Sequence, residues 1–180
     1  MIYSLGALNP VIAPDVYVAE SAEVIGDVTL GAESSIWYGC VVRGDVHSIR
    51  IGRQANIQDL SVVHVTGGKY PTVIGDRVTI GHRVLIHGAT IHDDAFIGMG
   101  AILLDRVIVE PYGFVAAGAL LTPGTTVKSG WMAIGSPARL VREIRDEERE
   151  MMVRTWKGYV TNGKLHRETL RHYNPREAGL

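Results

Sequence analysis

A chain of 180 residues with 46% hydrophobic side chains suits a single domain with a continuous core. Its 18 basic and 19 acidic residues leave a net charge of −1, which gives no electrostatic reason to bind nucleic acid or an anionic membrane and points to a small neutral partner. Cys40 is the only cysteine, so an intrachain disulfide is excluded and a reducing compartment is the default.

In chain order, the opening Met1-Ile2-Tyr3-Ser4 lacks a basic flank, and Gly or a charge interrupts every apolar run well short of a membrane span. A cytoplasmic location and no membrane contact are therefore expected. From Val18 to Leu120 an aliphatic residue, or once Phe114, recurs at every sixth position, as in Val18, Val24, Leu30, Ile36 and Val42 and again in Ile74, Ile80 and Ile86. The fourth residue after each anchor is usually small or β-branched (Ala22, Ser34, Cys40, Ala55, Thr90, Ala101), and the residue after an anchor is often Gly. This period suits neither an amphipathic helix nor an alternating strand. It suits a parallel β-helix, in which three hexads make one triangular coil and coils stack about 4.8 Å apart with like residues inside. Cys40 occupies the small corner slot and is expected to pack rather than react.

The hexad slips where the chain has other work. From Val42 to Ile51 the anchor spacing is nine, which extrudes three residues around Arg43, Asp45 and His47; from Val63 to Ile74 it is 11, which extrudes five across Thr66, Gly67, Gly68 and Lys69. Spacings of five, at Ile86 to Ile91 and Leu103 to Ile108, tighten corners. Gly67-Gly68-Lys69 lacks the later Gly and the Lys-Ser/Thr pair of a phosphate loop. The coils end near Val127. Ser136-Pro137 then reads as a helix start, with Val141, Ile144, Met151, Trp156 and Tyr159 at roughly helical spacing. A shorter helix is expected over residues 165–172, stopped by Asn174-Pro175. Residues 1–135 are thus expected to form the β-helix with its N-terminal cap, and residues 136–180 a helical segment packed on it, as one domain.

Register turns three histidines into a geometry. His64 follows anchor Val63 and His87 follows anchor Ile86, and their separation of 23 residues equals one 18-residue coil plus the five-residue excursion. They stack on one face of adjacent coils, close enough to converge on a single ion. His82 sits two places after Ile80, on the preceding face, and reaches that ion only from a second chain, as a three-fold cyclic assembly allows. Three imidazoles and an open fourth position make a catalytic rather than a structural zinc site; iron or cobalt would also accept them. Gln58 and Asp59 lie one hexad before His64, suited to holding substrate and ordering the ligands. His47, His92, His166 and His172 read as capping or interface residues.

The hexads, Arg43-Gly44-Asp45, Asn56-Ile57-Gln58-Asp59, the histidines of Ile80-Gly81-His82-Arg83-Val84-Leu85-Ile86-His87-Gly88 and the closing Gly135-Ser136-Pro137-Ala138 resemble the γ-class carbonic anhydrase family across residues 10–159. The resemblance implies a mainly β fold, a left-handed parallel β-helix with a C-terminal α-helix, assembled as a homotrimer. It implies that His64, His82 and His87 bind zinc, two from one subunit and one from the next. It implies a lyase that hydrates carbon dioxide reversibly to bicarbonate through a hydroxide held on that metal. Asn56, Gln58 and Asp59 match pocket positions, Tyr159 a pocket-edge tyrosine, and Arg43 and Asp45 residues that salt-bridge across the subunit interface. The founding branch carries acidic loops whose glutamate shuttles protons. Here Asp45 is followed by Val46 and His47, and the excursion after His64 holds no carboxylate before Asp76, so no proton exit is identified.

Three other readings stay open. The same centre would suit an acyl-CoA thioesterase. A hexapeptide acyltransferase uses the same repeat but needs one histidine base and a coenzyme A groove, not three imidazoles aimed at one point. The third is a non-catalytic metal-binding scaffold.

Overall fold

The hexad anchors are the core. Val24, Leu30, Ile36, Val42, Ile57 and Ile80 are buried and stack in register in the computed structural model, which describes residues 1–172. The fold is a parallel β-solenoid of about seven turns with one C-terminal helix. A 12-stranded sheet covers two faces of the prism, because Glu23–Leu30 and Val41–Ile51 run round the corner between them, and an eight-stranded sheet forms the third. Ala22, Cys40, Ala55 and Ala101 fill the corners with almost no exposed surface. Cys40 packs as expected: its thiol donates to the Gln58 carbonyl at 3.0 Å, and burial pushes it up to about 11. Glycine after an anchor answers to close approach. A Cβ on Gly98 would stand 2.5 Å from the backbone nitrogen of Ala117 in the next coil.

Both long excursions are present. Residues 45–48 leave the ladder between the paired halves of Val41–Ile51, and residues 66–70 close on themselves through a Thr66–Tyr70 bridge while Gly68 N–H donates to the Val46 carbonyl. The tight corner after Ile86 is real, with Ala89 rather than Thr90 as its small buried residue. The expected second one is not. Leu103 is followed six residues later by buried Val109, and then by Val115, Leu121 and Val127, while Ile108 points outward. Ile108-Val109 and Leu120-Leu121 each offer two aliphatic residues, and the period alone favoured the wrong one. Phe114 likewise faces out and stacks on Phe96, with ring centroids 4.9 Å apart and planes 14° apart.

The C-terminal segment also differs from expectation. Ser136-Pro137 does not start a helix: Ala138–Glu143 is a strand antiparallel to Trp131–Gly135, and the helix runs over Asp146–Thr169. Alternating burial from Ala138 to Glu143 is the strand signature. Val141 is accordingly an exposed strand residue. Residues 165–169 belong to this one helix, which passes through Gly158 and Gly163. The expected stop at Asn174-Pro175 lies outside the described residues. The helix covers the third face along Tyr17–Val18, Ser35–Ile36, Asn56–Ile57 and Thr79–Ile80. Near its end, His166 Nδ1 lies 3.1 Å from the Tyr38 hydroxyl. Among the described residues no helix is long and apolar enough to cross a membrane.

Asp146, Glu147 and Glu148 favour the positive end of the helix dipole. The Glu148 carboxylate accepts the Arg145 backbone N–H at 2.7 Å and both terminal nitrogens of Arg142 at 2.7 and 2.8 Å. Arg142 chiefly, then the Arg145 N–H, lowers the Glu148 carboxyl from 4.5 to about 2. A folded-state value below the unfolded one stabilises the helix start at pH above the ordinary carboxylate range, and this contribution fades as pH falls towards 2. Melting temperature is therefore expected to drop more steeply in wild type than in Glu148→Gln as pH falls from 4.5 to 2. Parallel curves would mean the cluster contributes nothing.

Candidate metal centre

Val62–His64 and Leu85–His87 pair in parallel with His87 opposite His64. Val63 and Ile86 point into the core, so strand alternation turns both histidines outward. His64 Nδ1 lies 3.2 Å from His87 Nε2. The far nitrogens are each held by a carboxylate: His64 Nε2 lies 2.9 Å from Asp45 Oδ1, and His87 Nδ1 lies 2.8 Å from Asp105 Oδ1. Asp105 also accepts the Thr66 hydroxyl at 2.9 and 3.0 Å. With each far nitrogen donating to its carboxylate, the two facing nitrogens present lone pairs to each other. That arrangement asks for a cation between or beside them, and it fits a metal.

Partial burial works to raise the Asp45 and Asp105 carboxyls, but hydrogen bonds outweigh it, from His64 and Arg43 on Asp45 and from His87 and Thr66 on Asp105, and both lie below the usual range. These acids stay ionised and orient the imidazoles.

Arg43 pairs with Asp45 inside one chain. Asp105, which sequence reasoning missed, lies 18 residues after His87. The tight corner after Ile86 brings Leu103 opposite Ile86 in 17 residues, so Asp105 sits one place beyond the position that stacks on His87.

His82 stands on the third face, as its phase requires, and its Nδ1 lies 2.8 Å from Asp59 Oδ2. Among the described residues of a single chain, no group of three or more His, Cys, Asp or Glu side chains is placed to hold a metal. Gln58, His82 and Tyr159 share a half-open cleft of about 390 Å3 between this face and the helix. Asn56 is fully buried beneath it and does not line it. Its Oδ1 accepts the Gln58 amide at 3.0 Å while its own amide donates to Thr79 Oγ1 at 3.1 Å, so Asn56 positions Gln58. Tyr159 packs edge-on against Trp37, with centroids 5.3 Å apart. Burial first, and the Asp59 charge second, raise its phenol.

No family model matches the chain. It is 49% identical over 163 residues to gamma carbonic anhydrase 2, mitochondrial, of Arabidopsis thaliana, an alignment that covers 88% of this chain and 59% of that protein. The chain therefore spans about three-fifths of the length of the Arabidopsis relatives it matches. Against the carbonic anhydrase of Geobacillus kaustophilus the identity is 39% over 167 residues, covering 93% of this chain and 91% of the other. Among solved structures, a hexapeptide transferase family protein from Anaplasma phagocytophilum superposes with a TM-score of 0.86 at 40% identity, over 89% of this chain and 95% of that one.

Proposed function

The chain belongs to the γ-class carbonic anhydrase family, and from that membership and the oriented histidines we propose that it hydrates carbon dioxide reversibly to bicarbonate at a metal centre shared between subunits of a homotrimer. One observation carries the reading. Each of the three histidines has one ring nitrogen against a carboxylate, His64 with Asp45, His87 with Asp105 and His82 with Asp59, at 2.9, 2.8 and 2.8 Å. Each is thereby left with one nitrogen to give to a metal.

In this reading His64 and His87 of one chain and His82 of the partner subunit hold the ion. Zinc is the first choice, and iron or cobalt would accept the same donors. When bound, such an ion polarises water so that it ionises near neutrality. The protein does the rest. Asp45, Asp59 and Asp105 fix the imidazoles, Asn56 fixes the Gln58 amide, and Gln58 orients carbon dioxide for attack. Hydration of one carbon dioxide by one water yields bicarbonate and a proton, which passes to buffer.

A surface feature supports the assembly. Val41, Val62, Leu85, Ile102 and Leu120 form a ladder that points outward along the face bearing His64 and His87. Three of its members keep 38–39% of their surface exposed, an apolar strip suited to a second copy of this chain.

The Anaplasma structure is named a hexapeptide transferase family protein, and acyl transfer stands as the rival reading. Metal separates the two. Purified protein is expected to carry one metal per chain and to hydrate carbon dioxide when loaded with zinc or, anaerobically, with iron. Asp105→Asn is expected to weaken metal affinity about 10- to 100-fold, whereas Gln58→Ala keeps the metal and loses part of the rate. Wild type that takes up no stoichiometric metal under either loading would sink this function.

A further inference from the structure

Asp105 holds His87 by reaching sideways over a glycine. A Cβ on Gly88, whose φ of +57° already favours glycine, would meet Asp105 Oδ1 and stand 2.9 Å from Tyr70 Cβ, so only a residue without a side chain leaves the carboxylate its route to His87 Nδ1. Thr66 approaches the same gap from the other side. Its hydroxyl lies 3.0 and 2.9 Å from the two Asp105 oxygens, although 39 residues separate the pair and the strand bearing His87 runs between their coils. A threonine hydroxyl ordinarily finds a backbone partner within a few residues. Here the backbone needs none: Thr66 N–H donates to the Tyr70 carbonyl at 3.1 Å, and the Thr66 carbonyl accepts the N–H of Lys69 and of Tyr70, each at 3.1 Å. The neck of the excursion thus fixes Thr66 and frees its hydroxyl for a distant acceptor.

Among the described residues, His87 and Thr66 are the only donors to the Asp105 carboxylate. Without Thr66 that carboxylate would be held only by the imidazole it is meant to orient, and the two would be free to turn together. A second, independent anchor removes that freedom. We propose that Thr66 is a positioning residue of the metal centre: it locks Asp105, Asp105 locks the His87 ring, and the excursion over residues 66–70 is the device that carries the hydroxyl across the intervening coil. The proposal rests on the metal reading above, and it concerns how firmly the ion is held rather than which reaction follows. Outer partners of a ligating histidine act on metal affinity because they set the orientation and tautomer of the ring.

Dissociation constants of the purified full-length protein for zinc and, anaerobically, for ferrous iron, measured by competition with a chromophoric chelator, test this without turnover. Thr66→Val keeps the branched shape and the main-chain bonds of the loop but has no hydroxyl. It should raise the dissociation constant about tenfold, the lower end of what losing an outer partner costs. Thr66→Ser should restore it. The deciding comparison repeats Thr66→Val in an Asp105→Ala background, where the hydroxyl has no carboxylate to hold, and there it should change the constant by less than about twofold. A merely structural threonine would weaken metal binding alike in both backgrounds and lower the melting temperature of the metal-free protein, and that result overturns the proposal. So does an unchanged constant in Thr66→Val while wild type binds metal, an outcome that leaves the metal reading standing. Wild type that takes up neither ion would overturn the metal reading and the proposal together.

Discussion

Subunits carrying His82→Ala and subunits carrying His64→Ala, each without metal or activity alone, are expected to regain both when unfolded and reassembled together. The reason is the prism's geometry. His64 and His87 are register partners on one face, whereas His82 belongs to a strand turn of the third face and faces the helix-side cleft. In a mixed trimer, an interface is complete when the His82→Ala chain supplies His64 and His87 and the His64→Ala chain supplies His82. Random assortment of equal amounts makes about one quarter of interfaces complete. Metal content and hydration rate should both recover to about that fraction of wild type. Verified mixed trimers that stay metal-free would mean that His82 does not serve a neighbour's site.

The second large effect tests the register. Ile91→Ala removes a side chain with no exposed surface from the stacked core and should cost about 2–5 kcal/mol, a large share of the roughly 5–15 kcal/mol that a domain commands. Ile108→Ala makes the same chemical change one coil on, at a side chain 38% exposed. It should cost less than about 1 kcal/mol. Denaturant midpoints of the two variants, read at unchanged slope, decide the matter. Equal losses would place Ile108 inside and restore the five-residue spacing after Leu103.

The repeat made the solenoid legible because a stacked core demands the same residue class at every sixth place, a signal spread over some 100 positions. It faltered where two aliphatic residues are adjacent, as at Ile108-Val109, since periodicity weighs hydrophobicity and not direction. Ala138–Glu143 was misread because Ser136-Pro137 is a strong local helix signal, while pairing with Trp131–Gly135 is a tertiary decision that local chemistry does not carry. In the site, the phase of the histidines was readable from coil arithmetic alone. Their carboxylates were less so: Asp45 meets His64 through an extruded loop whose path no period describes, and Asp59 turns to His82 rather than to the nearer His64.

A stack of parallel coils has no natural length, because each turn offers the next the same row of unpaired backbone donors and acceptors. On the third face this chain reverses direction at its last coil and lays Ala138–Glu143 back against Trp131–Gly135, with the register offset between Met132 and Ala133. The outermost strand now runs the wrong way to continue the stack, and it carries Arg139, Arg142 and Glu143 along its edge. A strand from another molecule finds no parallel partner there. Growth of the third face's sheet beyond its last coil is denied its template by the direction of six residues.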